Sequence, residues 1–142
     1  MSNELVDAAW APNDAFNRND WDAFEAALTP DTVYEEVTTG RKVDGAKANA
    51  ELARGWKSAF PDVTGTVDAS YVSGNTVIFE VTWRGTQNGP LPMPNGGEFP
   101  ASGKPVAIHA VIISDVEDGK VSSTRHYLDM LGMLTQIGVI PS

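Results

Sequence analysis

The sequence predicts an α+β domain, with helices from the first part of the chain packed on one face of a curved, mainly antiparallel sheet. Three observations carry that expectation. Apolar residues recur largely at helical spacing up to about residue 60, and after Pro61 the period shortens to two and stays there. The turn signals "SGN" and "EDG" divide the later half into hairpins. Helices followed by a run of strands point to α+β organisation rather than to alternating βαβ units.

In "NELVDAAWAPNDAFNR", Leu5, Ala9 and Phe16 fall near one helical face, and Pro12 is expected to kink or interrupt the helix. "NDWDAFEAAL" opens with the cap-type residues Asn19 and Asp20 and carries Trp21, Phe24, Ala27 and Leu28 at helical spacing. "TPDTVYEEV" turns to β-branched and aromatic residues and reads as a short strand. "VDGAKANAELARGWKSAF" is a third helix, capped by Asp44 and closed before Pro61. Four strands follow: "VTGTVDASYV", "NTVIFEVTWRGTQ", "PVAIHAVIISDV" and "KVSSTRHYL". Between the two pairs, proline and glycine in "NGPLPMPNGGEFPASGK" argue against regular structure. A loop of that length is a candidate lid. The apolar "MLGMLTQIG" closes the chain as a short helix.

A chain of 142 residues without internal repeat or linker is read as a single domain, 1–142, able to bury its own core. A net charge of −9, from 10 basic and 19 acidic residues, argues against nucleic acid or anionic membrane as partner. The absence of cysteine excludes disulfides and thiolate chemistry. With two histidines, expected on opposite sheet faces, a histidine-based metal site is not anticipated. There is no phosphate-loop spacing and no "GxSxG" elbow. "MSNELVDAAW" lacks the basic and apolar regions of a secretion signal, so a cytoplasmic location is expected.

A three-residue "EDG" loop with Gly119 left-handed would pair Val116 with Lys120 and set His109 opposite Tyr127. His109, Val111, Arg125, Tyr127 and Asp129 then share one face, and His126 lies on the other. The preceding strand is expected to add the row Val77, Phe79, Val81, Trp83, Gly85 and Gln87. Aromatic residues mixed with a few polar groups suit a ligand pocket and also a wet sheet edge, and the spacing modestly favours the pocket. Asp129 stands directly before a helix, where aspartate is a strong cap. Glu35 and Glu36 alternate, so one faces inward, and Glu35 is the candidate.

The ordered segments "NDAFNRNDWDAF", "TPDTVYEEVTTGRKVDG", "FPDV", "VTWRGTQNG", "PASGKPV" and "VEDGKVSSTRHYLDMLGMLTQIG" resemble the SnoaL-like polyketide cyclases, also labelled ester cyclases, from about Asn13 to Ile140. The resemblance implies a nuclear transport factor 2-like cone of sheet and helices. It also implies an intramolecular aldol cyclase or isomerase that uses a pocket aspartate as acid/base, without metal or cofactor. Asp129 is the match for that aspartate and His109 for a pocket histidine. A carboxyl can serve in this way near neutral pH only where burial holds its proton. Tyr127, Trp83, Phe79, Gln87, Glu35, Phe16, Trp56 and Met93 are the candidate substrate contacts, around a largely apolar or aromatic ligand. Many relatives read "GTHTG" where this chain has "GTQNG", so Gln87 stands in place of a histidine and cannot exchange protons near neutral pH. Epoxide hydrolase-like chemistry and a non-catalytic binding or dimerisation module are the alternatives. A homodimer is expected under any of these readings.

Overall fold

A computed structural model describes residues 2–92 and 96–140. Helices α1 (Ser2–Arg18) and α2 (Trp21–Ala26) lead into strand β1 (Leu28–Glu36), and β2 (Arg41–Asp44) folds back on it before α3 (Ala46–Ala59). β3 (Thr64–Ser73) and β4 (Thr76–Thr86) form one hairpin, β7 (Pro105–Glu117) and β8 (Lys120–Leu128) another, and α4 (Met130–Gln136) follows. The main sheet has the order β2-β1-β8-β7-β4-β3, antiparallel throughout except where β1 runs parallel to β8. The anticipated α+β organisation is therefore present.

The differences from expectation are local. α1 runs unbroken through Pro12, whose ring is buried. The N-cap of α3 is Gly45, with no side-chain cap bond, rather than Asp44. The proline- and glycine-rich loop contains a small hairpin, β5 (Leu91–Pro92) with β6 (Glu98–Phe99). Strand β2 was not anticipated. It exists because Gly40, in the left-handed region, turns the chain back along β1.

Burial alternates along the strands, so one sheet face meets the helices and the other meets solvent. The inner rows are Val77, Phe79, Val81 and Trp83 of β4, and Val106, Ile108, Ala110 and Ile112 of β7. Phe79 is fully enclosed and stacks at 5.1 Å on Trp10 of α1. Gly65 of β3 is paired with Trp83, and a Cβ there would sit 2.5 Å from its Cζ3. Glycine at 65 thus lets the indole lie flat on the edge strand, while Asn17 of α1 fixes the same backbone through two bonds of 2.9–3.0 Å.

The β7–β8 register explains the faces. Asp118 and Gly119 both have positive φ, giving a two-residue turn that pairs Glu117 with Lys120. The anticipated three-residue turn is absent. An irregularity follows, with Val116 opposite Val121 but Asp115 opposite Ser123, so Ser122 is an extra residue in β8. That bulge restores the parity that the shorter turn would have reversed. His109, Val111, Arg125, Tyr127 and Asp129 do share a face, with His126 on the other. The shared face is the outer one.

Candidate active site

The inner face, α1, α2, α3 and α4 surround a cavity. Its walls are largely apolar and aromatic: Phe16 and Phe24 from the first two helices, Trp56 and Phe60 from α3, Trp83 from β4, and Leu128 from β8. Tyr34, Asn49, Ser114, Thr124 and His126 are among the polar groups that reach it. No charged side chain is among its lining residues.

His126 reaches the cavity because strand alternation turns it inward opposite Ile112. Its Nε2 accepts a hydrogen bond from Trp83 Nε1–H at 3.2 Å. With Nε2 occupied as an acceptor, the neutral ring carries its proton on Nδ1, which donates to Tyr34 Oη at 2.8 Å. Tyr34 Oη in turn donates to Glu36 Oε2 at 3.1 Å. Tyr34 and Glu36 sit two apart on β1 and so point the same way, and the parallel pairing sets Glu36 opposite His126.

Glu36 is 0% exposed and is enclosed by donors. Trp56 Nε1–H reaches Oε2 at 2.8 Å, and Thr39 Oγ1–H reaches Oε1 at 2.7 Å. Arg41 binds Oε1 through Nε at 3.0 Å and Nη2 at 2.5 Å, with its guanidinium over the Trp56 ring. Burial alone would raise the pKa of Glu36. The bond from Thr39, the charge and bonds of Arg41 and the bond from Trp56 outweigh that and hold it below its ordinary value. Burial pushes the His126 ring down to about 4, against the opposing pull of the Glu36 charge. Burial, then Glu36, lifts Tyr34 well above the usual phenol value. At neutral pH the chain therefore reads neutral imidazole, neutral phenol, carboxylate.

Of the anticipated site residues, Phe16, Trp56 and Trp83 line this cavity. Phe79 belongs to the core beside it, outside the lining. The others are placed elsewhere. Asp129 is exposed and caps α4, its Oδ1 accepting from Gly132 N–H at 2.8 Å. His109 is exposed on the outer face, with Thr82 Oγ1 3.2 Å from its Nδ1. Tyr127, 41% exposed, lies on the same outer face. Trp83 pairs with Ile108 and not with His109, so the anticipated union of Trp83 with His109, Tyr127 and Asp129 does not form. Glu36, not Glu35, is the inward glutamate. Gln87 is buried but works as a latch on the loop. Its Nε2 donates to the carbonyls of Gly89 and Pro100 at 3.1 Å, and its Oε1 accepts from Ser102 N–H. Met93 lies outside the described residues.

The family model of the SnoaL-like polyketide cyclases matches residues 6–137. The chain belongs to that family. No functionally curated protein matches the sequence. Among solved structures, the chain is similar to a candidate SnoaL-like polyketide cyclase from Jannaschia sp. CCS1, with TM-score 0.83 and 22% identity over 98% of this chain and 94% of that one. It is similar to a protein of ketosteroid isomerase-like fold from Catenulispora acidiphila, with TM-score 0.75 and 19% identity over 94% and 92%. It is also similar to an LEH-like epoxide hydrolase from M. tuberculosis, with TM-score 0.73 and 22% identity over 95% and 90%. At these identities the likenesses establish the fold, the nuclear transport factor 2-like cone. Within the SnoaL-like family fold, the sequence pattern missed His126, Tyr34 and Glu36 as a set. The signal for them was the apolar row Val106, Ile108, Ala110 and Ile112 in β7, which marks the side that His126 shares.

Proposed function

We propose that this SnoaL-like chain is a cofactor-independent acid–base enzyme of the cyclase or isomerase type, acting on a largely apolar cyclic or polyketide-like ketone. The observation that supports it is a neutral imidazole on the wall of an aromatic cavity, tied through Tyr34 to a fully enclosed carboxylate. In this reading the acid/base is His126 and not Asp129, which is held at the surface by its capping bond.

The Trp83 N–H and the His126 Nε2 lone pair form a donor–acceptor couple 3.2 Å apart. A ligand oxygen about 2.9 Å from each would close a triangle with them, accepting from the indole and, as a hydroxyl or enol, donating to the imidazole. For a ketone, the Trp83 N–H passes from Nε2 to the carbonyl oxygen, and the freed Nε2 lone pair takes a proton from the carbon beside the carbonyl. The electron pair moves onto the carbonyl oxygen, where the Trp83 N–H stabilises the enolate. The imidazolium so formed is stabilised by Tyr34 and the Glu36 charge behind it. In ring closure the same proton passes to the alkoxide produced when the enolate carbon attacks a second carbonyl. A base with a pKa of about 4 is weak, so an activated methylene suits it better than a simple ketone. Epoxide opening by activated water wants a carboxylate at the cavity wall, whereas Glu36 stands behind Tyr34 and Trp56.

Exchange at C1 of 2-tetralone in deuterated buffer, followed by proton NMR, tests this without knowledge of the native substrate. Wild-type protein is expected to accelerate exchange. His126→Gln, whose amide cannot accept the proton, should lower the rate about a hundredfold. Asp129→Asn, which keeps a good helix cap, should retain it. Retention by His126→Gln with loss in Asp129→Asn would reverse the assignment.

A further inference from the structure

The cavity has a second polar end. Ser114 of β7 and Thr124 of β8 are directly paired, and both side chains line the inner wall. Asn49 of α3 lines the cavity too and is 5% exposed; Ser114 is 1% exposed. Among the described residues, no side-chain hydrogen bond within the protein engages the Asn49 amide or either hydroxyl, and none of the three is among the fully enclosed unpaired groups, so each is available to a ligand.

These groups lie at one level. Thr124 is paired with Tyr34, two residues before the His126–Glu36 pair. The start of α3 is anchored beside β1 by the Gly45 N–H bond to the Thr32 carbonyl, while Trp56 bonds Glu36 further along. The helix thus runs alongside β1 in the same sense, and Asn49, two turns before Trp56, falls near the Thr32–Tyr34 level, across from Ser114 and Thr124.

Resting on the reading of this cavity as the substrate site, we propose that Asn49, Ser114 and Thr124 form a distal subsite for a neutral oxygen function of the substrate. That function is a hydroxyl or keto group carried at the opposite end of the ring system from the reacting carbon. The two stations are two residues apart along β8, roughly 7 Å, about the span of a fused bicycle. With no charged residue among the lining, the enclosed part of the substrate is uncharged. Asn49 supplies both donor and acceptor, and each hydroxyl can do either, so a phenol or ketone is matched whichever way its lone pairs point.

The test is equilibrium binding, read by quenching of tryptophan fluorescence, of 2-tetralone and 6-hydroxy-2-tetralone. Wild-type protein should bind the hydroxylated ketone roughly fivefold to tenfold more tightly. The triple variant Asn49→Leu, Ser114→Ala, Thr124→Val should bind both ketones with the same affinity. Asn49→Leu alone should raise the thermal midpoint of the free protein, because it replaces a polar amide on a largely apolar wall by an apolar side chain. Equal affinities in wild type, a preference that survives the triple substitution, or no binding of either ketone would overturn the subsite. A preference lost in the variant while α-proton exchange fails in wild type would uphold the subsite and sink the catalytic reading, so the two failures are distinguishable.

Discussion

Replacing Glu36 by alanine is expected to destabilise the fold by about 3–5 kcal/mol, the range for removing one partner of a buried ion pair. The carboxylate is the common acceptor for Arg41, Thr39, Tyr34 and Trp56, which come from β1, the turn after it, β2 and α3. Its loss leaves the Trp56 N–H and the Tyr34 O–H without that acceptor. Arg41 is 24% exposed and can turn outward, which limits the damage from the uncompensated cation. Glu36→Gln keeps one acceptor oxygen and most of the volume, so it should lose less than alanine. Urea unfolding at pH 7, with the slope checked for constancy, measures both. If alanine at 36 costs under 1 kcal/mol, the carboxylate is not the hub that its contacts imply.

The second large effect is on acid stability. The folded His126 has its pKa depressed from 6.5 to about 4 by burial, so between those values the unfolded chain binds a proton that the native chain does not. Stability must then rise with pH across that window: the contribution is fully present above 6.5 and is lost as pH falls to about 4. The difference corresponds to about 3 kcal/mol. Glu36 acts in the same direction lower down. Its folded value is held below 4.5, so its contribution is lost only as pH falls from there through that depressed value. Urea midpoints at pH 7, 5.5 and 4.5 should fall steadily in wild-type protein. In His126→Gln the slope between pH 6.5 and 4.5 should be nearly flat, because the glutamine cannot titrate.

Much of the fold was legible because the change from helical to strand period is abrupt at Pro61 and both hairpin turns carry glycine. The faces were legible only by parity. A turn one residue shorter than anticipated and the extra Ser122 compensated each other, which left the grouping of side chains intact. Alternation says which residues share a face but not which face is buried. The charges gave that information: Asp115, Arg125 and Asp129 all belong to the outer set, while the inner set of β7 is Val106, Ile108, Ala110 and Ile112. Gln87 was misplaced for another reason. Its polarity suggested a ligand contact, but backbone carbonyls of the following loop consume its amide, and no local pattern announces a loop that folds back on its own stem.

Nitrogen NMR titration of the imidazole of His126 tests the central claim most directly. The account predicts an Nδ1-protonated neutral ring at pH 7, hydrogen-bonded to Tyr34, that stays neutral until about pH 4. A ring that instead protonates near 6.5, or that carries its proton on Nε2, would mean that His126 is neither desolvated nor tied to the Glu36 chain, and the proposed acid–base site would have to be abandoned.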